Sequence, residues 1–164
     1  MATIPLPRDF RDFIALLNEK SVKYLVIGGY AVTFHGYPRA TQDIDFFVEM
    51  SRANAEALLE VLDEFGFPAG GLTPELFLDK GDAVWFGREP HKVEILNDIS
   101  GVTFAECYKN RTRVTLGGLE INFISLPDLI ANKKASGRNK DLADLDYLPK
   151  VPGPKTRVRR KKGG

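Results

Sequence analysis

Apolar side chains recur at helical spacing near the start of the chain, where Phe10, Phe13, Ile14, Leu16 and Leu17 follow Pro7. Proline fits a first helical turn because its missing N–H has no partner there, so a helix ending near Lys20 is expected. Val22–Ile27 is a short apolar run stopped by Gly28-Gly29, which reads as a buried strand entering a tight turn, with a short helix over Tyr30–His35. Asp43–Glu49 carries Ile44, Phe46, Phe47 and Val48, a β-favouring set, and Ser51 opens a helix with Leu58, Leu62 and Phe65 on one face. After the Gly/Pro-rich stretch Gly66–Pro74, Ala83–Phe86 and Lys92–Leu96 read as strands around a turn. Arg113–Leu116 and Leu119–Ile124 flank Gly117-Gly118 as a two-residue hairpin. Leu126 to about Leu148 is helical, with an interruption near Gly137. Strands interspersed with helices predict an α/β (α+β) chain, a mixed β-sheet with flanking helices.

Composition limits the range of functions. At 164 residues, with 43% hydrophobic and 27% charged residues, the chain has the makeup of an ordinary globular protein. A body over residues 1–150 and a disordered basic tail over 151–164 are expected, because Pro152, Gly153 and Pro154 precede a run with nothing to bury. The net charge of +1 hides a local asymmetry: Lys155, Arg157, Arg159, Arg160, Lys161 and Lys162 lie in the last ten residues and the remainder is acidic. An acidic body needs cations, bound or local, before it can hold a polyanion. The single cysteine, Cys107, excludes an internal disulfide, and no Cys/His set has zinc spacing. No apolar run reaches membrane-spanning length and the N-terminus lacks a signal pattern, so a cytoplasmic protein with no membrane partner is expected.

The chemistry concentrates between Gly28 and Asp45. Thirteen residues separate Gly29 from Asp43-Ile44-Asp45-Phe46. Side chains two apart on a strand share a face, which would set Asp43 and Asp45 side by side, roughly 6–7 Å apart at Cα. Carboxylates so placed repel and call for a cation between them, either Lys or Arg or a hard divalent ion. A strand ending in two glycines can bring bare N–H groups against a phosphate. Each feature alone also has a plain structural reading, as the wet side of a half-buried sheet and as an ordinary turn.

Together, Ile27-Gly28-Gly29 and Asp43-Ile44-Asp45-Phe46 resemble the signature of the DNA polymerase beta-like nucleotidyltransferase superfamily. More narrowly, Gly28-Gly29-Tyr30-Ala31-Val32, His35-Gly36, Arg39, Thr41 and Asp43-Ile44-Asp45 resemble small nucleotidyltransferases related to the AbiEii toxin of abortive-infection systems. The resemblance implies a nucleotidyltransferase-like fold and paired aspartates holding two magnesium ions, with manganese as the alternative. It also implies a third carboxylate on a neighbouring strand. Glu94, between Val93 and Ile95, is the first candidate for it and Glu120 the second, although such proteins often carry Asp there. Gly28, Gly29, Arg39 and Thr41 become candidate phosphate contacts, as do Lys133 or Lys140 from Lys133-Lys134…Arg138…Lys140-Asp141. His35 is read as a structural residue at the end of the short helix. Gly29 stands where many superfamily members have serine, leaving only backbone for the phosphate.

The resemblance implies transfer of a nucleoside monophosphate from a nucleoside triphosphate to a hydroxyl; the leading expectation for the acceptor, which the motif does not fix, is RNA, such as a tRNA end, or a protein. A toxin–antitoxin setting with a cognate antitoxin is part of the resemblance. Two alternatives stay open: nucleotidylation of a small molecule, and an inactive nucleotidyltransferase-like module that binds nucleic acid or regulates.

Overall fold

The computed structural model describes residues 6–37, 41–67, 71–88 and 90–149; the expected tail over 151–164 lies outside them. Among the described residues, helices α1 (Arg8–Glu19), α2 (Gly28–Phe34), α3 (Arg52–Phe65), α4 (Phe104–Lys109), α5 (Leu126–Ser136) and α6 (Asn139–Tyr147) surround six strands. These are β1 (Tyr24–Ile27), β2 (Ile44–Val48), β3 (Ala83–Arg88), β4 (His91–Leu96), β5 (Thr112–Leu116) and β6 (Leu119–Phe123). They form one mixed sheet in the order β3-β4-β2-β1-β6-β5. The antiparallel pairs are β1/β2, β3/β4 and β5/β6, whereas β2/β4 and β1/β6 run parallel.

Alternation along β2 assigns the two faces. Ile44, Phe46 and Val48 are buried toward α1 and α3, where Phe13 touches Phe46, Phe65 and Phe86 at ring-centroid distances of 5.2–5.4 Å. Such aromatic contacts add to the area they bury because ring edges meet ring faces. Asp45 and Phe47 point to the other face, where Phe47 meets Phe104 of α4 edge-on at 5.2 Å. The central strand β1 is buried at every position, so it can carry no functional side chain on either face.

Buried polar side chains tie the sheet to its surroundings. Ser51 caps α3 by accepting from the Asn54 N–H, while Asn54 accepts from the Lys23 N–H and donates to the Lys23 and Glu49 carbonyls. One amide thereby closes the start of β1 against the end of β2 where their ladder stops. Asn97 does the same after β4, donating to the Phe77 and Asp79 carbonyls and accepting from the Gly81 N–H. Both side chains are buried, which makes each of these bonds costly to lose.

The mixed sheet with flanking helices matches the expected class, and the interruption at Gly137 is a full break in which that residue adopts φ +67° and separates α5 from α6. Two elements were not expected. One is the 3₁₀ turn Pro74–Phe77; the other is α4, whose cap Thr103 accepts from the Glu106 N–H. The Thr-x-x-Glu spacing of that cap was readable, but six residues hold too short an apolar period to announce a helix.

Replacing Asn54 with Ala is expected to destabilise the fold by about 2–3 kcal/mol, because the Lys23 N–H and the Glu49 carbonyl lose the Asn54 amide and the Lys23 carbonyl keeps only the Glu49 N–H. Equilibrium urea unfolding measures this, with Glu56→Ala on the exposed side of the same helix as the control that changes little.

Candidate functional site

The register around β2 builds the site. Ile27 of β1 pairs with Asp45, Asp45 pairs with Glu94 of β4, and Glu94 pairs with Trp85 of β3. These neighbours share the face that carries Phe47, so Asp45 and Glu94 stand side by side on adjacent parallel strands. Their carboxyl groups lie within hydrogen-bonding reach of each other. Gly28 follows Ile27 with φ +69°, and a Cβ placed there would come within 2.1 Å of Asp45 Oδ2. The glycine is required twice: a left-handed backbone turns β1 directly into α2, and no side chain separates that backbone from the carboxylate. Where a turn was expected to precede the helix, this one residue makes it, and α2 starts at Gly28.

Asp43 is placed differently from the expectation. It precedes β2 instead of lying in it, so it and Asp45 are not alternate positions of one regular strand. Its Oδ1 accepts from the Lys92 N–H at 3.3 Å, and the Thr41 hydroxyl donates to its carbonyl at 3.2 Å. The chain before β2 is thereby tied to the start of β4, and Asp43 reaches the same cleft from the side.

That cleft has a volume of about 910 Å³. Gly28, Gly29, Thr41, Asp43, Asp45 and Glu94 border it on the sheet side, and Lys133, Arg138, Lys140 and Asp141 on the helix side. Of the candidates read from the sequence, Arg39 lies outside the described residues. Glu120 lies away from the cleft, on the outer hairpin, where its carboxylate pairs with Arg113 at 3.3 Å. Glu94 is therefore the one of the two glutamates that shares a space with the aspartates. His35 donates from Nε2 to the Ile124 carbonyl at 2.8 Å, the structural role expected of it, and burial lowers its pKa against the opposing pull of that bond.

Burial raises the pKa of both members of the carboxyl pair. Glu94 is pushed up to about 7, first by burial and then by the hydrogen bond and the charge of Asp45. Asp45 is raised by burial and by the charge of Asp43, with Glu94, Lys140 and Lys133 pulling the other way. Two carboxyls in this position accept a shared proton or a cation far more readily than two free charges. The donors are hard oxygens, suited to a small divalent ion that takes one or two carboxylates and completes its shell with water and phosphate oxygens. Among the described residues, no three acidic, His or Cys side chains already converge as a closed cage. Asp45 and Glu94 converge as a pair with Asp43 beside them, which fits an ion held jointly by protein and substrate better than one held by protein alone.

The helix side was only partly legible. Lys133 is 4% exposed, with Nζ 2.9 Å from Asp141 Oδ1 and 3.0 Å from Asp144 Oδ2. Asp141 also accepts from the Ser136 hydroxyl and from Arg138 Nε. Lys133 lines the cleft but is engaged by two buried carboxylates, whereas Lys140 lines it from an exposed position on α6. Burial works to raise the pKa of Asp141, yet the Ser136, Lys133 and Arg138 donors overcome it and hold the group at about 2. Trp85, exposed on the edge strand, was not singled out by the sequence reading; it reads as an ordinary strand aromatic until the register sets it opposite Glu94.

Three outcomes are expected. Gly28→Ala should cost about 1–2 kcal/mol from the left-handed backbone and displace Asp45, the first read by thermal melts and the second by a changed titration of its partner Glu94. Lys133→Met should cost about 3–5 kcal/mol, since it takes the buried Lys133 ammonium from both Asp141 and Asp144 and leaves Asp141 with Arg138 alone as its cation. The pH dependence follows from Asp141: its folded pKa lies below the ordinary 3.8, so its stabilisation is present above about pH 4 and is lost as the pH falls toward 2. Acid unfolding of Asp141→Asn should lack that part of the slope.

Comparison with known proteins supplies the family. The described fold resembles a candidate nucleotidyltransferase from Thermotoga maritima, with a TM-score of 0.59 and 19% identity over 85% of this chain and 89% of that one. An antigenic nucleotidyltransferase-like protein from Paracoccidioides brasiliensis aligns with a TM-score of 0.49 and 16% identity over 88% of this chain and 76% of that one. No curated protein matches the sequence. The family described as nucleotidyltransferases of unknown function (DUF6036) matches residues 9–147, which span both sides of the cleft, and the chain belongs to that family.

Proposed function

We propose that the chain transfers a nucleoside monophosphate from a nucleoside triphosphate to a hydroxyl acceptor, at the cleft between β2, β4 and α5–α6. The observation that carries this reading is the pairing of Asp45 with Glu94 directly beside the bare backbone of Gly28. Asp43, Asp45 and Glu94 would hold magnesium, or manganese, which when bound neutralises the triphosphate and lowers the pKa of an attacking hydroxyl. Gly28 and Gly29 leave the backbone open to phosphate oxygens. Lys140 supplies a positive charge from the opposite wall, Thr41 borders the cleft, and Arg39 would add a guanidinium for a phosphate. Lys133 acts within its wall, fixing α5 to α6.

In the transfer, the acceptor oxygen bonds to the α-phosphorus, the bond from that phosphorus to the departing pyrophosphate breaks, and the hydroxyl proton leaves to a carboxylate or to water. Positioning and charge stabilisation would supply most of the rate. The acceptor we favour is RNA or protein. The AbiEii-like resemblance of Gly28–Val32, His35-Gly36 and Asp43–Asp45 supports a toxin neutralised by a cognate antitoxin, working in the cytoplasm. Among the described residues no helix is long and apolar enough to cross a membrane.

Incubation with each α-labelled nucleoside triphosphate, magnesium, total RNA and a protein extract tests the reading. Label should move to RNA or protein, and transfer should fall at least a hundredfold in Asp45→Ala and in Glu94→Gln and stop on chelation. Magnesium should also raise the melting temperature of the wild type near pH 8, and do so less in Asp45→Asn. Absence of transfer together with absence of nucleotide and metal binding would mean an inactive binding module.

A further inference from the structure

The cleft face of the edge strand β3 carries Ala83, Trp85 and Gly87, so its only large side chain is the indole. Trp85 is 60% exposed and lines the cleft. Gly87 cannot take a larger residue: its φ is +113°, and a Cβ there would lie 2.9 Å from the His91 carbonyl oxygen. The strip beside the ring is thus held flat by the backbone, and the indole stands as an open planar surface at the rim. An exposed tryptophan on a strand normally loses its apolar area to a neighbour; this one has alanine and glycine on its own strand and Lys92, Glu94 and Leu96 across the ladder, and it stays mostly exposed.

Its position along the register gives the ring a direction. Ile27, Asp45, Glu94 and Trp85 follow one another across β1, β2, β4 and β3, and Gly28 follows Ile27 against the Asp45 carboxylate. The phosphate-facing backbone lies at one end of this row and Trp85 at the other, with the carboxylates between. Lys140 and Lys133 act on Asp45, toward the Gly28 end. A donor triphosphate held by that end leaves the attacking hydroxyl to approach over Glu94, one strand from Trp85, about 4.8 Å. A sugar whose hydroxyl lies over Glu94 would set its own base over the indole.

We propose that Trp85 is the stacking platform for the terminal base of a single-stranded nucleic-acid acceptor, a role that rests on the nucleotidyl-transfer reading of the same cleft. Stacking suits the site because it needs only a flat exposed ring and no base-specific hydrogen bonds. The acceptor is therefore selected by having an unpaired end and a free ribose hydroxyl, with little regard for which base comes last.

Trp85 is the only tryptophan of the chain, so its fluorescence reports this position alone. The full chain is titrated with a short oligoadenylate ending in a free ribose, with magnesium and a non-hydrolysable nucleoside triphosphate present, and binding is followed in parallel by anisotropy of a labelled strand. Saturable quenching of Trp85 by the strand is expected. Trp85→Ala should weaken strand binding about 10- to 100-fold, the loss of one stacked base. Trp85→Phe should retain most of the binding, and the affinity for the triphosphate alone should be unchanged in both. Because the side chain is exposed, the variants should melt close to wild type.

Strand binding by anisotropy without quenching, or with full affinity in Trp85→Ala, overturns the proposal. So does quenching by the triphosphate alone that the strand does not add to, which would assign the ring to the donor base. Label transfer that is undiminished in Trp85→Ala, or that goes to protein only, removes the platform while leaving nucleotidyl transfer in place. Loss of triphosphate binding itself removes both.

Discussion

Two acidic side chains held next to each other by a parallel strand pair set the character of this molecule. Nothing local requires Asp45 and Glu94 to be adjacent, since they are far apart in sequence and each would ionise freely in water. The register of β2 against β4 forces them together on the sheet face opposite Phe13 and Phe46. Burial then makes their separate ionisation unfavourable, and the pair becomes a place where positive charge is welcome. The surroundings follow from this. Gly28 lacks a side chain because Asp45 occupies that space, and the opposite wall is cationic.

The cationic wall is itself held in a way that limits its freedom. Lys133 is not an arm reaching for substrate; it is a buried tie between α5 and α6, matched by Asp141 and Asp144. Arg138, through Asp141, is drawn into the same cluster. The break at Gly137 allows α6 to fold back, which is what carries Lys140 to the cleft. The buried cluster thus fixes the geometry of the wall, and Lys140, outside that cluster, lines the cleft. The same electrostatics that would make a lone buried lysine intolerable makes this arrangement rigid.

Much of the architecture was legible from patterning. The helices over 8–19 and 52–65 and the hairpin around Gly117-Gly118 follow from spacing and turn chemistry, which are local properties. The candidate site was legible through the Gly-Gly and Asp-x-Asp pattern, but its geometry was not. Asp43 lies before β2 because the Thr41 hydroxyl and the Lys92 N–H hold the segment there, and both depend on tertiary contacts. The choice between Glu94 and Glu120 turned on strand order, since each sits on a hairpin strand between apolar neighbours. Lys133 and Lys140 look alike in sequence; which one is buried is decided by the carboxylates that α6 brings back against α5. Trp85 gave no signal at all until β3 was known to be an edge.

The order of the sheet also has a bearing on how the protein comes into being. The carboxylates on the sheet side of the cleft lie in the first two thirds of the chain and the cations opposite them in the last third, on and between α5 and α6. A chain emerging from the ribosome therefore completes its carboxylate cluster before the wall that balances it exists. The cleft closes only when the final helices have been made and have docked. A polypeptide still under synthesis, before α5 and α6 have formed, would present an unshielded acidic face and no pocket.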